Sequence, residues 1–576
     1  MKQHKIRLIT AVAALSMAAA AAAQTLGLET VSQIAKSDPL IISGSMGTRN
    51  TYYHSSVGDG YRSPLSNVLF ANLNISLYGI SMPFSFYYSN DNTSFNYPYF
   101  SFNLNPHYKN WTGHLGRSSM AFSTYLMNMS FNGVGLEYND SKRVRIGAFY
   151  GTLRSAVNDD PGDPSARRPQ YKRTGWGFKV GYGNQQSYLD LYLLRAYDSP
   201  SSLDEGWRRT LTPQENLAVA VKGAVRATSW LSLSGNVAMS AFTADREGER
   251  LKTEQTRSFD KVFDTRYTSL ARFAGDVGVN FSLKGINASF FYRMVQPDYT
   301  SLGTYYMANN YQSIGFNFGA MLAKRLSLTA SFSEQHDNLS KNQLYTTSGY
   351  VYSANLGLRL GQNFNIMAGF NGYLQNQSDG QQKVAEEERV KRVSNSLYLT
   401  PSYQIDGDVL AHTFSLTGNF TENVNLNKLQ PKNSNIQTVA AGANYSLDVK
   451  PWEMAFTTSL SHQRSRGYHT QYTSDILSLS VDRSFLREKN LTASATFSLI
   501  NNNIEKRVKN TSLGADMALS YVLKKVHSFS LMGGYNKYSD VNLSDDYSSM
   551  NTSELSLSLN YVYTFSLLEI TKKSEK

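Results

Sequence analysis

Residues 102–125 read FNLNPHYKNWTGHLGRSSMAFSTY and hold the chain's densest group of side chains able to do chemistry: His107, His114, Arg117, Ser118 and Ser119. A serine hydroxyl beside a histidine base can act as a nucleophile in lipid or ester hydrolysis. Such a pair needs a third group to orient the histidine, and this stretch contains no acidic residue. Its spacing also leaves serines and histidines free to fall on different faces. A polar patch lining a lumen, or a loop folded inward, accounts for the group without catalysis.

Three other stretches have a chemical reading and a plainer one. NDDPGDPSARRP, residues 158–169, gathers Asp159, Asp160 and Asp163 ahead of Arg167 and Arg168. Three carboxylates suit calcium, but the spacing is not that of the twelve-residue calcium loop and no glutamate closes it. A solvated external loop is expected. GWGFKVGYG, residues 175–183, is glycine-rich enough for a nucleotide loop, yet its glycines sit inside an alternating strand with no helix behind them. Glycine in a barrel strand relieves curvature or lets a neighbour approach. VAEEERVKR, residues 384–392, sets acid before base and reads as a loop tip with a brief helical turn and some capacity for protein contact. No catalytic, cofactor-binding or metal-ligating residue emerges, so the chain is expected to be neither an enzyme nor cofactor-dependent.

The elements that position these residues are strands. From Tyr171 onward, alternating runs of about ten to fifteen residues follow one another without a helical interval. In WLSLSGNVAMSAFT, residues 230–243, Leu231, Leu233, Val237 and Met239 share one face, and Ser232, Ser234, Asn236 and Ser240 the other. Residues 413–421 and 489–502 repeat the scheme, and so does TSELSLSLNYVYTF, residues 552–565, whose alternate positions end on Tyr561, Tyr563 and Phe565. Tight turns near Lys284–Gly285, Lys324–Arg325 and Lys524–Lys525 alternate with longer polar links at residues 244–267, 377–391 and 423–435. Short periplasmic turns, longer extracellular loops and a dyad pattern are the signature of a transmembrane barrel. Sandwich strands are shorter, and a propeller would show a repeated blade motif. Nineteen strands from Tyr171 and seven upstream predict an all-β chain: a single large antiparallel transmembrane β-barrel of about 26 strands. The stretch 95–126 is aromatic and alternates poorly; if it folds inward, the count is 24.

The ends carry an address. Lys2, Lys5 and Arg7 precede an alanine-rich apolar run and Ala21-Ala22-Ala23, which read as a signal peptide over residues 1–23. Residues 24–39 then form a short periplasmic segment, 40–565 the barrel and 566–576 a periplasmic tail. The segment 24–39 has no room for a plug domain. With no cysteine anywhere, disulfides and thiolate metal sites are excluded. The formal charge of +12 comes from basic residues scattered as pairs at turns, so nucleic acid is not an expected partner.

NLNISLYGISMPFSFYYSN, residues 72–90, together with residues 102–125, resembles outer-membrane β-barrel proteins of Bacteroidota to which no catalytic or ligand residues are assigned. That resemblance implies the bacterial outer membrane, with its lipids and its assembly machinery as partners. Two functions stay open: a porin-like channel for polar solutes or polymers with a gated or plugged lumen, or a structural or interaction subunit that anchors a lipoprotein or surface protein or belongs to a larger outer-membrane assembly. Ser, Thr and Asn on the inner face suit sugars or polar peptides better than a strongly selected ion.

Overall fold

The computed structural model describes residues 40–58, 63–90, 99–140, 143–159, 167–251, 263–467, 470–486, 488–505, 508–542 and 551–570. The signal peptide expected over residues 1–23, the segment 24–39 and residues 571–576 lie outside them. The described residues form one closed antiparallel barrel of 26 strands. Each strand pairs with its neighbour in sequence, and the first, Leu40–Ser55, pairs with the last, Asn551–Ile570, from Leu40↔Ile570 to Ser55↔Glu554. Closure leaves no free edge there. One wall strand is broken at Asn105-Pro106 into Tyr99–Leu104 and His107–Tyr108; proline supplies no N–H to a ladder.

The alternation of the sequence becomes two faces, and the registers carry each face from strand to strand. Phe290, Phe316 and Phe332 are successive partners and meet as tilted ring pairs on the outside. Leu559 pairs with Leu531 on that same face and is 50% exposed. Large apolar side chains open to the surroundings recur around the whole outer wall, among them Leu191, Val237, Leu416 and Phe497. The aromatic end of the last strand divides: Tyr561 and Tyr563 meet His527 in stacked pairs, whereas Phe565 is buried beside Tyr563 opposite Gly44.

Inside, polar side chains bond across strands. Ser331 meets Ser353 at 2.7 Å, the Tyr398 hydroxyl donates to Asn355 at 3.0 Å, and Thr51 meets Ser558 at 3.2 Å. Cross-strand pairs of this kind contribute roughly 0.2–1 kcal/mol each. Short turns fall at one end of the barrel, where Lys324, Lys524 and Lys525 take positive φ, and the long links fall at the other. No described helix is long and apolar enough to cross a membrane.

Candidate functional site

Two connections at the long-loop end do not stay at the rim. Residues 119–130 and 296–310 turn into the barrel and form an inner layer against the wall. Met120, Phe122, Tyr125, Leu126, Met127 and Met129 of the first segment are buried with Tyr299 and Leu302 of the second. Their partners on the wall are Phe131, Phe149, Leu153, Tyr192, Leu194, Ala196, Ala218, Ala220, Ala238, Ala274 and Val295. Each alternates with an outward residue such as Tyr150, Leu191, Val219, Val237 or Phe273, so the infolded layer is on the lumen side. The covered wall runs over eight strands, from Phe131–Asn139 to Ile286–Val295.

Apolar burial supplies most of the attraction, at roughly 1.5–3 kcal/mol for each large side chain such as Phe122 or Leu126. Phe122 meets Phe149 edge-on with centroids 5.4 Å apart, and Phe131 stacks on Phe149 at 4.5 Å. The two segments also hold each other. Met127 bridges Gly303, the Asn128 and Met129 amides donate to the Gly303 carbonyl, and the Tyr299 hydroxyl donates to the Tyr125 carbonyl at 3.0 Å.

Polar inward residues of the wall then fix the layer. Ser123 donates to Asn236 at 2.8 Å, Asn216 accepts from the Leu302 amide at 3.3 Å, and Ser240 donates to the Thr300 carbonyl. The Tyr125 phenol donates to Asp276 at 2.7 Å; burial, and then Asp276 itself, push its pKa well up, so the proton stays on the phenol. Burial likewise raises the Tyr299 phenol.

The glycine run at 175–183 has a packing role here. A Cβ on Gly177 would lie 2.4 Å from the Phe149 ring and 2.8 Å from Phe122. Gly177 therefore makes room for the infolded aromatics, the close approach that a strand glycine permits.

The reactive group at 107–119 separates. His107 stays at the short-turn end, 3.0 Å from Thr112. His114, Arg117, Ser118 and Ser119 gather around one cavity of about 350 Å³ at the foot of the first infolded segment. His114 is buried and bonds through Nε2 to Glu137 at 2.8 Å. The carboxylate only accepts, so Nε2 carries the hydrogen. Glu137 is also bridged by Lys179. The orienting acid absent from the local sequence is thus supplied across the sheet. Ser118, however, donates to Asn105 at 3.2 Å, so its hydroxyl is directed away from the imidazole. Glu137 and Lys179 escaped sequence reading because only register joins them to His114. Their inward parity, with Gly133 and Gly135 or with Gly175 and Gly177, was the available signal.

The other stretches are structural. Arg167 grips Asp159 with two N–H groups, each at 2.7 Å; Asp160 and Asp163 lie outside the described residues. Glu386–Glu388 form one 3-10 turn, and its backbone accepts from Asn427 and Gln430 of the neighbouring link.

No protein-family model matches the chain, and no curated protein matches it. Among solved structures it is similar to OccAB2 of Acinetobacter baumannii, at 10% identity over 62% of this chain and 92% of that one, with a TM-score of 0.30. It is similar also to OccK9 (OpdG) of Pseudomonas aeruginosa, at 10% identity over 91% and 98%, TM-score 0.31. The translocation pore of the P pilus usher PapC aligns at 9% identity over 92% and 100%, TM-score 0.34. Likeness at this level carries no argument about substrate, and the barrel rests on its own strand order and registers.

Proposed function

We propose that the protein is a bacterial outer-membrane channel for polar, mostly uncharged solutes, its lumen narrowed from one side by the layer of residues 119–130 and 296–310. The observation that carries this reading is the asymmetry of the inner wall. Eight strands are covered by packed chain, while the wall beyond Tyr345 presents Ser, Thr, Asn and Tyr. The export signal and the apolar outer face support the outer membrane. Barrels of sixteen to eighteen strands already leave an aqueous channel, so one of 26 needs narrowing to preserve a permeability barrier. Membrane lipids and the assembly machinery remain its proposed partners, and a lipoprotein or surface protein a further one.

Planar-bilayer conductance tests the proposal. The intact protein should give a small, steady conductance, and replacing residues 120–129 by two glycines should raise it severalfold while the barrel still assembles. A wide-open conductance from the intact chain would refute the narrowing. A small conductance that rises only when a co-purified polypeptide is stripped away would move the barrier to that second chain and favour the anchoring role.

A further inference from the structure

We propose that the seam between Tyr99–Leu104 and Trp111–Ser118 binds a single-chain amphiphile with a hydroxyl-rich head, the head toward the lumen and the chain toward lipid. The site rests on the membrane-spanning reading above and adds a ligand to it.

The wall is least continuous here. Tyr99–Leu104 pairs through six consecutive residues with Ile80–Ser89, from Phe84↔Leu104 to Ser89↔Tyr99. Trp111–Ser118 pairs through its whole length with Phe131–Asn139. Between themselves the two share only Asn103↔Gly116 and Leu104↔Leu115. Toward the long-loop end a side chain bridges them instead, where Arg117 donates to the Tyr99 hydroxyl at 2.5 Å, and Ser118 reaches Asn105 just past the end of the first strand. Side-chain bridges exchange for a ligand more readily than a backbone ladder, whose groups must stay paired in hydrocarbon.

The 350 Å³ cavity occupies this seam and is lined from both faces of the wall. Its size is within the range of small-molecule pockets. Ser85, Ser101 and Asn103 lie on the lumen face by register, whereas Phe86 and Phe102 belong to the outward row. Phe86 and Phe102 each pack on Phe100, which is 58% exposed. Hydroxyls and amides on one side and aromatic rings on the other match a molecule with a polar head and an apolar chain. Lys179 pairs with Glu137, to which His114 also donates, and the Arg117 guanidinium is occupied by the neutral Tyr99 hydroxyl. Apart from Arg117 and His114 the polar lining is hydroxyls and amides, so a hydroxyl-rich head fits.

The test uses the full barrel in lipid nanodiscs and an alkyl maltoside with a diazirine on its chain. After photolysis, peptides containing Phe86 and Phe102 should carry about tenfold more label than the peptide containing Leu531 and Phe529, the ratio of a 1.4 kcal/mol preference. Unlabelled alkyl maltoside should compete and maltose should not. Ser101→Trp, which fills the cavity, should bring the label down to the general level. Should that variant fail to assemble, Leu104→Cys with Leu115→Cys in this cysteine-free chain should lose the label when oxidised and regain it when reduced. Even labelling of the outer face would overturn the site and keep the membrane reading. Label absent from the whole outer face would overturn both. Competition by maltose equal to that by the alkyl maltoside would make the cavity a soluble-sugar subsite and refute the amphiphile.

Discussion

The wall from Phe131 to Val295 and the wall from Tyr345 to Ile570 belong to one barrel and obey one alternation, but they differ in what lies behind them. In the first, strands are mostly short, as in Phe131–Asn139 (9 residues) and Ile286–Val295 (10 residues). In the second many have 16 residues, as in Tyr345–Leu360 and Leu410–Asn425, and the last, Asn551–Ile570, has 20. The first turns small apolar residues inward, among them Gly177, Ala196, Ala218, Ala220 and Ala238, and covers them with infolded chain. The second turns Asn355, Tyr398, Ser415 and Asn444 inward and ties them to one another. The outer face keeps its apolar row on both walls. The inner face follows its covering: small where chain packs on it, polar where water does.

The largest effect should come from arginine placed on each face of each wall. Leu557→Arg and Val219→Arg both face outward and should hinder assembly, at roughly 2–4 kcal/mol near the midplane of a bilayer. Ser558→Arg faces the bare lumen beside Thr51 and should assemble normally. Ala220→Arg also faces inward but is buried under the infolded layer, so it should fail like the outward pair, because an unpaired buried charge costs several kcal/mol. Heat-modifiable gel mobility reads all four. Normal assembly of Ala220→Arg would dissolve the distinction between the walls.

Much of this contrast was legible in the sequence. The strand total followed from dyad alternation and turn residues, because the outer face demands apolar residues at every second place. The stretch 95–126 stood out as aromatic and poorly alternating, yet the structure divides it. Its described residues from Tyr99 to Ser118 remain in the wall, which keeps the count at 26 and not 24, and the part beyond Ser118 turns inward. The second infolded segment, QPDYTSLGTYYMANN, has neither dyad alternation nor a motif to mark it. Its clue was Tyr299 and Leu302 where an exposed loop has no use for apolar bulk. The contact of His114 with Glu137 was out of reach, since a one-residue change of register would have put the carboxylate on the other face.

Glycines separate the infolded layer from an uncovered strand, Tyr311–Leu322, by a smaller margin. A Cβ at Gly303 would lie 2.4 Å from the Leu126 carbonyl and 2.5 Å from Leu194, whereas one at Gly319 meets nothing within 4 Å. Gly303→Val should therefore loosen the infolded layer, with an overpacking cost of about 1–3 kcal/mol, and should raise conductance without loss of assembly. Gly319→Val should leave conductance unchanged. Equal conductance in the two variants would mean that the layer does not limit flow.

A single hydrogen bond gives the next step down. Tyr125→Phe leaves Asp276 without its phenol donor; a bond to a charged group is worth about 1.5–3 kcal/mol. The expected result is more frequent opening in single-channel records with the mean barrel stability little changed. Thr51→Val, in the bare wall, removes the hydroxyl facing Ser558 where water can replace it, and should leave the records as they were. If both changes are silent, the Tyr125–Asp276 bond does not hold the layer.

The smallest effect belongs to the rim of the covered wall, at Asp159 and Arg167. The guanidinium of Arg167, and then its backbone amide, hold the Asp159 carboxyl down at about 2. An unfolded aspartate titrates near 3.9. The pair therefore contributes fully above about pH 4, and its contribution is lost as pH falls through about 2. Both groups are solvent-exposed, so the effect is local order and not global stability. The Arg167 amide donates to Asp159 Oδ2 at 3.1 Å, which makes its hydrogen exchange a direct reporter. After correction for intrinsic rates, exchange should stay slow down to about pH 2 and quicken below it. In Asp159→Asn the dependence should vanish, with fast exchange throughout. Exchange at Arg167 that is equally slow in both proteins at neutral pH would show that the loop is ordered by something other than this pair.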